Sequence, residues 1–310
     1  MSIEGKRKLI FIPYAEIVNA ESGVNISAKS ARKEIYLKNC CVSLVSAKAY
    51  NDCDVALVTN IDVPEQYKKV LEANGVLILK CEFDQFLFSL NYKWNLAFYK
   101  LCALYHISRE YEYDFYSYLD ADVYIKASFN DIWEECSNNI LLYDMCHGLK
   151  VRDYRVFLDE VRTFNGYSLI THFGGEFFAA NREQALAFSD RCLEIHKEMI
   201  QKDFLTTKGD EFILSIAAYD MKQQVKNAGA YIYRYWTDIN FRLVSTNYMY
   251  NPVVILHVPN EKEKGLLEIY DKYIRINKIP ETEKVYNMLR IKRQPMIDVF
   301  KKKIRGMMKK

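Results

Sequence analysis

The first third of this 310-residue chain alternates short apolar segments with longer segments of helical spacing. Three apolar segments suit buried strands: Lys8–Tyr14, Asp54–Thr59 and residues 76–80. The segments between them, residues 27–49 and 64–73, suit helices. Strands and helices that alternate along a chain form parallel sheets through right-handed crossovers. This region therefore predicts a doubly wound, mainly parallel α/β sheet flanked by helices.

The cysteines and the apolar runs predict an intracellular protein. None of the eight cysteines forms a C-x-x-C pair, and several lie inside apolar runs, where a free thiol behaves as a small hydrophobic group. Scattered cysteines of this kind are typical of a reducing compartment. The apolar run 9–12 is too short for a signal peptide, and no run reaches the ~18–20 apolar residues of a spanning helix. We expect a cytoplasmic protein whose membrane contact, if any, is peripheral.

The remainder of the chain continues the mixed pattern and ends in a basic segment. Helices are predicted at 94–106, 130–136, 183–201 and 210–219, and strands at Phe115–Leu119, 141–145, 173–180, 231–235 and 253–257. From about residue 266 the chain reads as helical and increasingly basic. We therefore predict a catalytic domain at residues 1–265 and a C-terminal basic helical extension at 266–310.

Two aspartates, Asp120 and Asp122, follow the predicted strand Phe115–Leu119. An unpaired buried carboxylate is costly, so a pair at the end of a buried strand needs a counter-charge. Mg²⁺ and Mn²⁺ bind through one or two carboxylates together with substrate phosphates. Ligands of open α/β sheets bind beyond the carboxyl ends of the strands. The alternative is that Asp120 caps the next segment and Asp122 faces solvent; the predicted sheet favours a metal site.

The order of these segments resembles the nucleotide-sugar-dependent glycosyltransferases of the GT-A fold, in which a D-x-D after a strand binds the metal. Residues 119–123 (LDADV) are close to the form found in the glycogenin-like and lipopolysaccharide galactosyltransferase families. Residues 173–178 (FGGEFF) are similar to the acceptor-side strand of blood-group-type transferases. The resemblance covers most of residues 8–260. It implies a GT-A-like fold, a bound Mn²⁺ or Mg²⁺ ion, and a nucleoside-diphosphate sugar as the donor. A UDP-linked sugar is the expected donor.

The glycine pair and a later acidic pair are the candidate acceptor and catalytic residues. Gly174 and Gly175 suit a strand whose backbone approaches a ligand closely, or else a bulge. Asp210 and Glu211 begin a predicted helix, where acids also cap and complement the helix dipole. In the resembled fold one such acid lies beside the anomeric carbon, as a base or as a carboxylate that stabilises oxocarbenium-like charge. We favour Glu211 for this role, and both retaining and inverting transfer stay open.

A histidine and a lysine near residue 260 are further candidates. In the glycogenin-like families a C-terminal histidine joins the two aspartates on the metal, and a nearby lysine binds the diphosphate. His257 and Lys264 follow a similar order here with a different spacing, and imidazole suits Mn²⁺. A capped strand end with a solvated lysine is the alternative. His172, just before the glycine pair, is a candidate for the acceptor side.

The donor-side candidates rest on position in the resembled fold. Tyr14 ends the first strand, where the resembled fold binds the nucleobase, and its ring could stack on the base. Asn60 and Asp62 end the second strand and are candidates for hydrogen bonds to base or ribose. Lys100, on the helix before the D-x-D strand, could reach the donor, or its side chain could extend to solvent.

The C-terminal residues 288–310 carry nine basic side chains against a single acid, Asp298. Apolar residues recur among them at roughly helical spacing, from Met296 to Met308. A basic amphipathic helix fits an anionic membrane surface, although a solvated or disordered tail is also consistent with this composition. Nucleic acid is not an expected partner, because no aromatic-basic groove or known motif accompanies the tail.

Together these features predict a glycosyltransferase of the hexosyltransferase type. It would move a sugar from a nucleotide sugar to a glycan or lipid-linked glycan, in bacterial surface polysaccharide synthesis. One alternative is an aspartyl-nucleophile phosphatase, although Tyr124 occupies the place where that motif has Thr or Val. A nucleotidyltransferase would need a glycine-rich loop after the first strand, and residues 13–20 contain no glycine. A non-catalytic sugar-binding protein that keeps the fold is a further alternative.

Overall fold

The structure is a computed structural model that describes residues 3–16, 26, 31–237, 253–291 and 304. Most of the basic tail and residues 27–30 of the first predicted helix lie outside the described residues. The strands are β1 Lys8–Tyr14, β2 Asp54–Thr59, β3 Leu77–Lys80, β4 Phe115–Leu119, β5 Val123–Ile125, β6 Ile140–Asp144, β7 Phe173–Asn181, β8 Val225–Asn227, β9 Ile232–Arg234 and β10 Ile255–His257.

The helices are α1 Arg32–Tyr50, α2 Glu65–Ala73, α3 Tyr99–Glu110, α4 Ile132–Glu135, α5 Arg152–Asn165, α6 Arg182–Gln201, α7 Asp210–Asp220, α8 Gly265–Ile276 and α9 Thr282–Met288. Two 3₁₀ turns, Asn95–Phe98 and Pro259–Glu261, precede α3 and α8. The segment predicted as one helix at 94–106 is thus a 3₁₀ turn followed by α3. No helix in the described ranges is long and apolar enough to cross a membrane.

The main sheet has the strand order β3-β2-β1-β4-β7-β6-β8 within the described part of the chain. β1 pairs in parallel with β2 and β4, and β2 pairs in parallel with β3. β7 is antiparallel to both of its neighbours, β4 and β6. The predicted mixed, mainly parallel α/β sheet is therefore confirmed, and β1 and β4 lie near its centre.

The two faces of the sheet bury separate apolar clusters. Leu9 and Phe11 of β1 face a cluster that includes α3, whereas Ile10 and Ile12 face a cluster that includes α1. Alternate residues of a strand point to opposite faces, so a strand covered on both sides reads as a continuous apolar run. This is why KLIFIPY is recognisable as a central strand from the sequence alone.

A smaller sheet of order β5-β10-β9 adjoins the main one. The chain leaves the main sheet at the end of β4 and enters the smaller sheet at β5, so Asp120 and Asp122 lie in the three-residue connection between the sheets. β10 is antiparallel to β5 and parallel to β9, which pairs His257 with both Val123 and Arg234. Strand register therefore brings His257 next to the D-x-D.

The helices α8 and α9 pack on the α1 side of the molecule. Leu266 and Ile269 of α8, and Val285 of α9, are buried in the same apolar cluster as α1. Leu289 and Ile291, beyond α9, also belong to this cluster. The boundary at residue 265 stays a prediction, but the first 26 residues of the extension contribute to the core of the body.

Candidate active site

The backbone of the D-x-D connection is held by hydrogen bonds from three directions. The Asp120 amide donates to the Glu176 carbonyl on β7 at 3.1 Å. The buried Ser43 hydroxyl of α1 lies 2.8 Å from the Ala121 carbonyl and 2.6 Å from the Val123 carbonyl. The Val258 amide donates to the Asp122 carbonyl at 2.9 Å. These bonds fix the direction in which the two carboxylates leave the chain.

Asp120, Asp122 and His257 form a compact cluster of oxygen and nitrogen donors. His257 Nε2 lies 3.3 Å from Asp122 Oδ2 and 3.7 Å from Asp120 Oδ2. One donor atom from each residue lies within 4.8 Å of the others. Two carboxylates and an imidazole are a donor set that suits Mn²⁺. The residues therefore fit a divalent ion chemically.

Glu176 lies behind His257 and fixes the orientation of its ring. Glu176 Oε1 is 3.0 Å from His257 Nδ1, and both side chains are buried. A carboxylate on one imidazole nitrogen is the usual support of a metal-binding histidine, because it leaves the other nitrogen directed at the ion. Burial lowers the pKa of His257, but the charges of Asp122 and Glu176 outweigh it and raise the pKa to about 9. An ion bound at Nε2 would displace the proton that this nitrogen carries when the ring is charged.

Lys262, rather than Lys264, is the lysine of the cluster. The buried Lys262 ammonium donates to Asp122 Oδ2, whereas Lys264 is exposed. Burial alone would raise the pKa of Asp122, but the charges and hydrogen bonds of Lys262 and His257 hold that pKa far below its usual range. Asp122 is therefore ionised at any physiological pH and available as a ligand.

Lys100 connects the D-x-D to the acidic pair at the start of α7. Its ammonium lies 2.9 Å from Asp120 Oδ1 and 3.1 Å from Asp210 Oδ2; the second contact is an ion pair without a directed hydrogen bond. Burial raises the pKa of Asp210, Lys100 opposes this, and the charges of Glu211 and Asp120 raise it further, to about 6. Asp210 is thus a buried carboxyl that changes protonation near neutral pH.

Glu211 is in a different electrostatic environment. Arg234 Nη2 lies 2.8 Å from Glu211 Oε1, and His172 Nε2 lies 3.0 Å from Glu211 Oε2. Burial raises the pKa of Glu211, but Arg234 and then the hydrogen bond from His172 lower it to about 2. Arg234 also donates from Nε to Glu176 Oε1 at 2.7 Å. Glu211 is therefore a fixed anion within an ion-pair network.

The two glycines of β7 leave room for these charged side chains. A Cβ at Gly174 would overlap the Glu176 carboxylate and lie 2.7 Å from Arg234 Nη2. A Cβ at Gly175 would overlap the Asp210 carboxylate and lie 2.8 Å from Lys100 Nζ. Glycine therefore serves here for close side-chain approach to the backbone, and neither residue has a positive φ.

These groups surround a cavity of about 540 Å³, which is within the usual size range of small-molecule sites. The cavity brings together most of the sequence-predicted residues: Tyr14, Lys100, Asp120, Asp122, Asp210, Glu211 and His257. Four aromatic side chains are among its lining residues: Tyr14 and Tyr36, whose rings contact each other, and Trp94 and Trp236. Such rings offer flat surfaces for a base or a sugar.

Other predicted residues lie behind or outside the cavity wall. His172 is buried, stacks on Phe157 at 4.2 Å and contacts the cavity residue Glu211 through Nε2. Asn60 exchanges hydrogen bonds with the backbone of Glu16, a cavity residue. Asp62 is exposed and paired with Lys80 at 2.8 Å. Their predicted contacts with acceptor or donor stay predictions.

Among the charged residues missing from the sequence-based set, three contact its members directly: Glu176, Arg234 and Lys262. Glu176 had a signal, because a carboxylate inside the apolar strand FGGEFFAAN must be paired if it is buried. Arg234 lies in a predicted strand and Lys262 shares a loop with Lys264. Only strand register and the direction of the loop show that these two cations point into the cavity.

Comparison with known proteins supports the fold. The chain is similar to the crystal structure of mouse xyloside xylosyltransferase 1 in its apo form, with a TM-score of 0.53 and 13% sequence identity. The match covers 80% of this chain and 96% of that one. No known protein family and no curated protein sequence gives a match. At this identity the likeness establishes a GT-A-like fold, which agrees with the predicted fold class.

Proposed function

We propose that this protein is a metal-dependent glycosyltransferase that uses a nucleoside-diphosphate sugar. The observation that carries the proposal is the cluster of Asp120, Asp122 and His257, with Glu176 behind the histidine, at the wall of a ligand-sized cavity. The same fold in a xylosyltransferase supports this assignment. A bound divalent ion would neutralise the charge that develops on the departing diphosphate.

The distribution of charge and aromatic rings suggests how a donor would lie. Lys262 and a divalent ion held by Asp120, Asp122 and His257 would form the cationic centre to which a diphosphate binds. Tyr14 and Tyr36, whose ring centroids are 6.2 Å apart, lie at the end of β1 and on α1, and the base would stack there. The transferred sugar would then face Lys100 and Asp210.

Asp210 is the better candidate for the proton acceptor, although the sequence favoured Glu211. A general base works best when its pKa lies near the working pH, and the pKa of Asp210 is raised to about 6. Glu211 is ionised but engaged by Arg234 and His172. We assign Glu211 to charge balance and to the support of Arg234, and Asp210 to contact with the acceptor hydroxyl.

The acceptor and the cellular setting extend the proposal. A glycan or lipid-linked glycan acceptor in bacterial polysaccharide assembly would suit a basic C-terminal segment at an anionic membrane surface. Leu289 and Ile291 are buried in the core, so the deletion that tests this role begins at residue 292. Weaker binding of the truncated chain to anionic vesicles would support the role, and unchanged binding would refute it.

A donor screen tests the enzymatic assignment. The purified protein would be incubated with UDP-, GDP- and dTDP-sugars, with Mn²⁺ or with EDTA, and NMR would report hydrolysis, transfer and the anomeric configuration of the product. We expect Mn²⁺-dependent turnover of at least one donor. Release of phosphate from a phosphomonoester, with no turnover of any nucleotide sugar, would favour the phosphatase alternative and contradict the proposal.

A further inference from the structure

A second cluster of metal-binding side chains lies outside the cavity, between the end of β3 and α3. It consists of Cys81, Cys102 and His106, each of which offers a donor atom within 4.8 Å of the other two. Cys102 and His106 are four residues apart on α3 and therefore share one face of the helix. The thiols of Cys81 and Cys102 are buried, and the His106 side chain is 16% exposed. None of the three lines the cavity.

A backbone N–H is directed at the pair of sulfurs. The Gln85 amide, in the loop after β3, donates to Cys102 Sγ at 3.4 Å. The two sulfurs lie within 4.8 Å of each other, so one ion can reach both. Backbone N–H groups directed at sulfur are part of the outer shell that tunes thiolate metal centres.

The surroundings of the imidazole suit a metal ligand as well. Asp84 Oδ1 lies 2.6 Å from His106 Nε2, and Glu110 Oε1 lies 2.8 Å from His106 Nδ1. When one ring nitrogen binds an ion, the other keeps a carboxylate that orients the ring. The carboxylate thus released from His106 is free to become a fourth ligand, or a water can take that position.

We propose that Cys81, Cys102 and His106 bind a structural Zn²⁺ ion. Two thiolates and an imidazole, completed by a carboxylate or water, match the tetrahedral N/S preference of zinc. Both thiols lose their protons to solvent when the ion binds. The cysteine spacing of 21 residues hides this site in the sequence, because the partners come from a strand end and a helix rather than from one C-x-x-C turn.

Such an ion would anchor the segment that forms one wall of the cavity. The chain from Cys81 to Cys102 includes the cavity residues Trp94, Ala97 and Lys100. A metal bridge between Cys81 and Cys102 would hold the start of this segment against α3, the helix in which the segment ends. The site does not depend on the proposed glycosyltransferase function, because any ligand of the cavity would meet the same wall.

Metal analysis of matched variants tests the proposal. All variants would be made in the Asp122→Asn background, so that the D-x-D cluster does not contribute bound zinc. Protein purified under reducing conditions would be loaded with Zn²⁺, desalted and analysed for zinc by mass spectrometry, and Co²⁺ would replace Zn²⁺ for absorption spectroscopy. We expect one zinc per chain and a thiolate-to-cobalt charge-transfer band. Cys102→Ser should lose both, and Cys192→Ser, which changes a buried cysteine outside the cluster, should keep both.

A second measurement, on protein that keeps all of its cysteines, excludes misfolding of a variant as the cause of zinc loss. Chelation of zinc should lower the midpoint of thermal unfolding and make the Cys81 and Cys102 thiols more reactive to alkylation, and added Zn²⁺ should reverse both effects. The proposal is wrong if the folded, reduced protein binds no zinc. It is equally wrong if zinc stays at one per chain in Cys102→Ser, or if Cys81 and Cys102 form a disulfide that Zn²⁺ does not prevent.

Discussion

His257 shows how a single residue acquires its properties from its neighbours. Nε2 faces Asp120 and Asp122, and Nδ1 faces Glu176. Burial lowers the pKa of His257, but the charges of Asp122 and Glu176 favour a protonated ring and raise that pKa to about 9. A divalent ion placed among the same groups would take over the role of that proton. The support from Glu176 then decides how well Nε2 is held in place.

Glu176→Gln tests that support. We expect the affinity for Mn²⁺ to fall about 10–100-fold, as for other carboxylates that orient metal-binding histidines. The loss would be measured from the free-Mn²⁺ signal in electron paramagnetic resonance. Glu183→Gln, an exposed change on α6, should leave the affinity unaltered. Circular dichroism is the control for folding, because Arg234 loses one of its partners. An unchanged affinity in Glu176→Gln would contradict the assigned role.

Asp210 and Glu211 should respond differently to pH. Because the pKa of Asp210 is raised to about 6, its basic form is lost as the pH falls below that value, and kcat/KM should fall on the acid side. Asp210→Asn should lower kcat by about 10²–10⁴-fold and remove the acid limb. Glu211→Gln should lower activity but keep an acid limb, displaced to lower pH because the charge of Glu211 raises the pKa of Asp210. An acid limb that persists in Asp210→Asn would show that another group is the base.

At this scale the sequence identified the cluster of Asp120, Asp122 and His257 better than the cations around it. The two aspartates follow one strand and His257 ends another, and both strands are recognisable from their apolar runs, so the convergence of the three side chains follows from the sheets. Lys262 and Arg234 depend on which way a loop and a short strand turn. That information is carried by long-range pairing, such as that between His257 and Arg234 across β10 and β9.

Among the elements, β7 has the largest influence on the site. It lies antiparallel between β4 and β6, and it provides the backbone acceptor for Asp120, the carboxylate behind His257 and the two glycines. Its first half therefore carries one charged side chain, Glu176, in a strand that is buried almost throughout. Close approach of side chains to the strand backbone is possible only because residues 174 and 175 lack a Cβ.

Gly175→Ala tests this role of the strand. The added methyl group would displace Asp210 and Lys100. We expect a drop of at least tenfold in kcat with the fold retained, because alanine is compatible with the φ of a strand. Gly148→Ala is the matched control, since a Cβ there meets nothing within 4 Å and the residue has no positive φ. Equal activity of the two variants in steady-state assays would contradict the close approach.

Two elements of the described fold, the helix α5 and the short strand β8, were missing from the predictions. α5 was not predicted, although Tyr154, Phe157, Leu158, Val161 and Phe164 have helical spacing and all are buried. β8 was also not predicted; it has three residues, two of them exposed, and nothing in its sequence distinguishes it from a loop. The first was readable from periodicity, whereas the second depends entirely on its pairing with β6.

At the scale of the whole molecule, the sheet is covered on both faces and the C-terminal helices complete one of the covers. Strand order is a tertiary property: no local pattern shows that β7 lies between β4 and β6, with β8 beyond β6. The contribution of residues 265–291 to the core is equally hidden, because the basic tail that follows them dominates the composition of this region.

Substitutions on α8 measure that contribution. Leu266 is fully buried and Ile274 is 49% exposed on the same helix. Leu266→Ala should reduce the free energy of unfolding by about 2–5 kcal/mol, because it removes buried methyl groups and leaves a cavity. Ile274→Ala should change it by about 0.5 kcal/mol or less. Urea titrations would measure both, and a Leu266→Ala value as small as that of Ile274→Ala would mean that α8 is not part of the stable body.

The proposed function depends on binding of a nucleoside diphosphate in the cavity through a divalent ion at Asp120, Asp122 and His257. Calorimetric titration of UDP, in Mn²⁺ or in EDTA, measures this binding. For the unsubstituted protein and for Asp159→Asn, an exposed change on α5, we expect UDP to bind at least about tenfold more tightly with Mn²⁺, a difference of about 1.4 kcal/mol. Asp122→Asn should lose this difference. Failure to bind UDP under either condition, or equal affinity in Mn²⁺ and EDTA, would contradict metal-dependent binding of a nucleotide in this cavity.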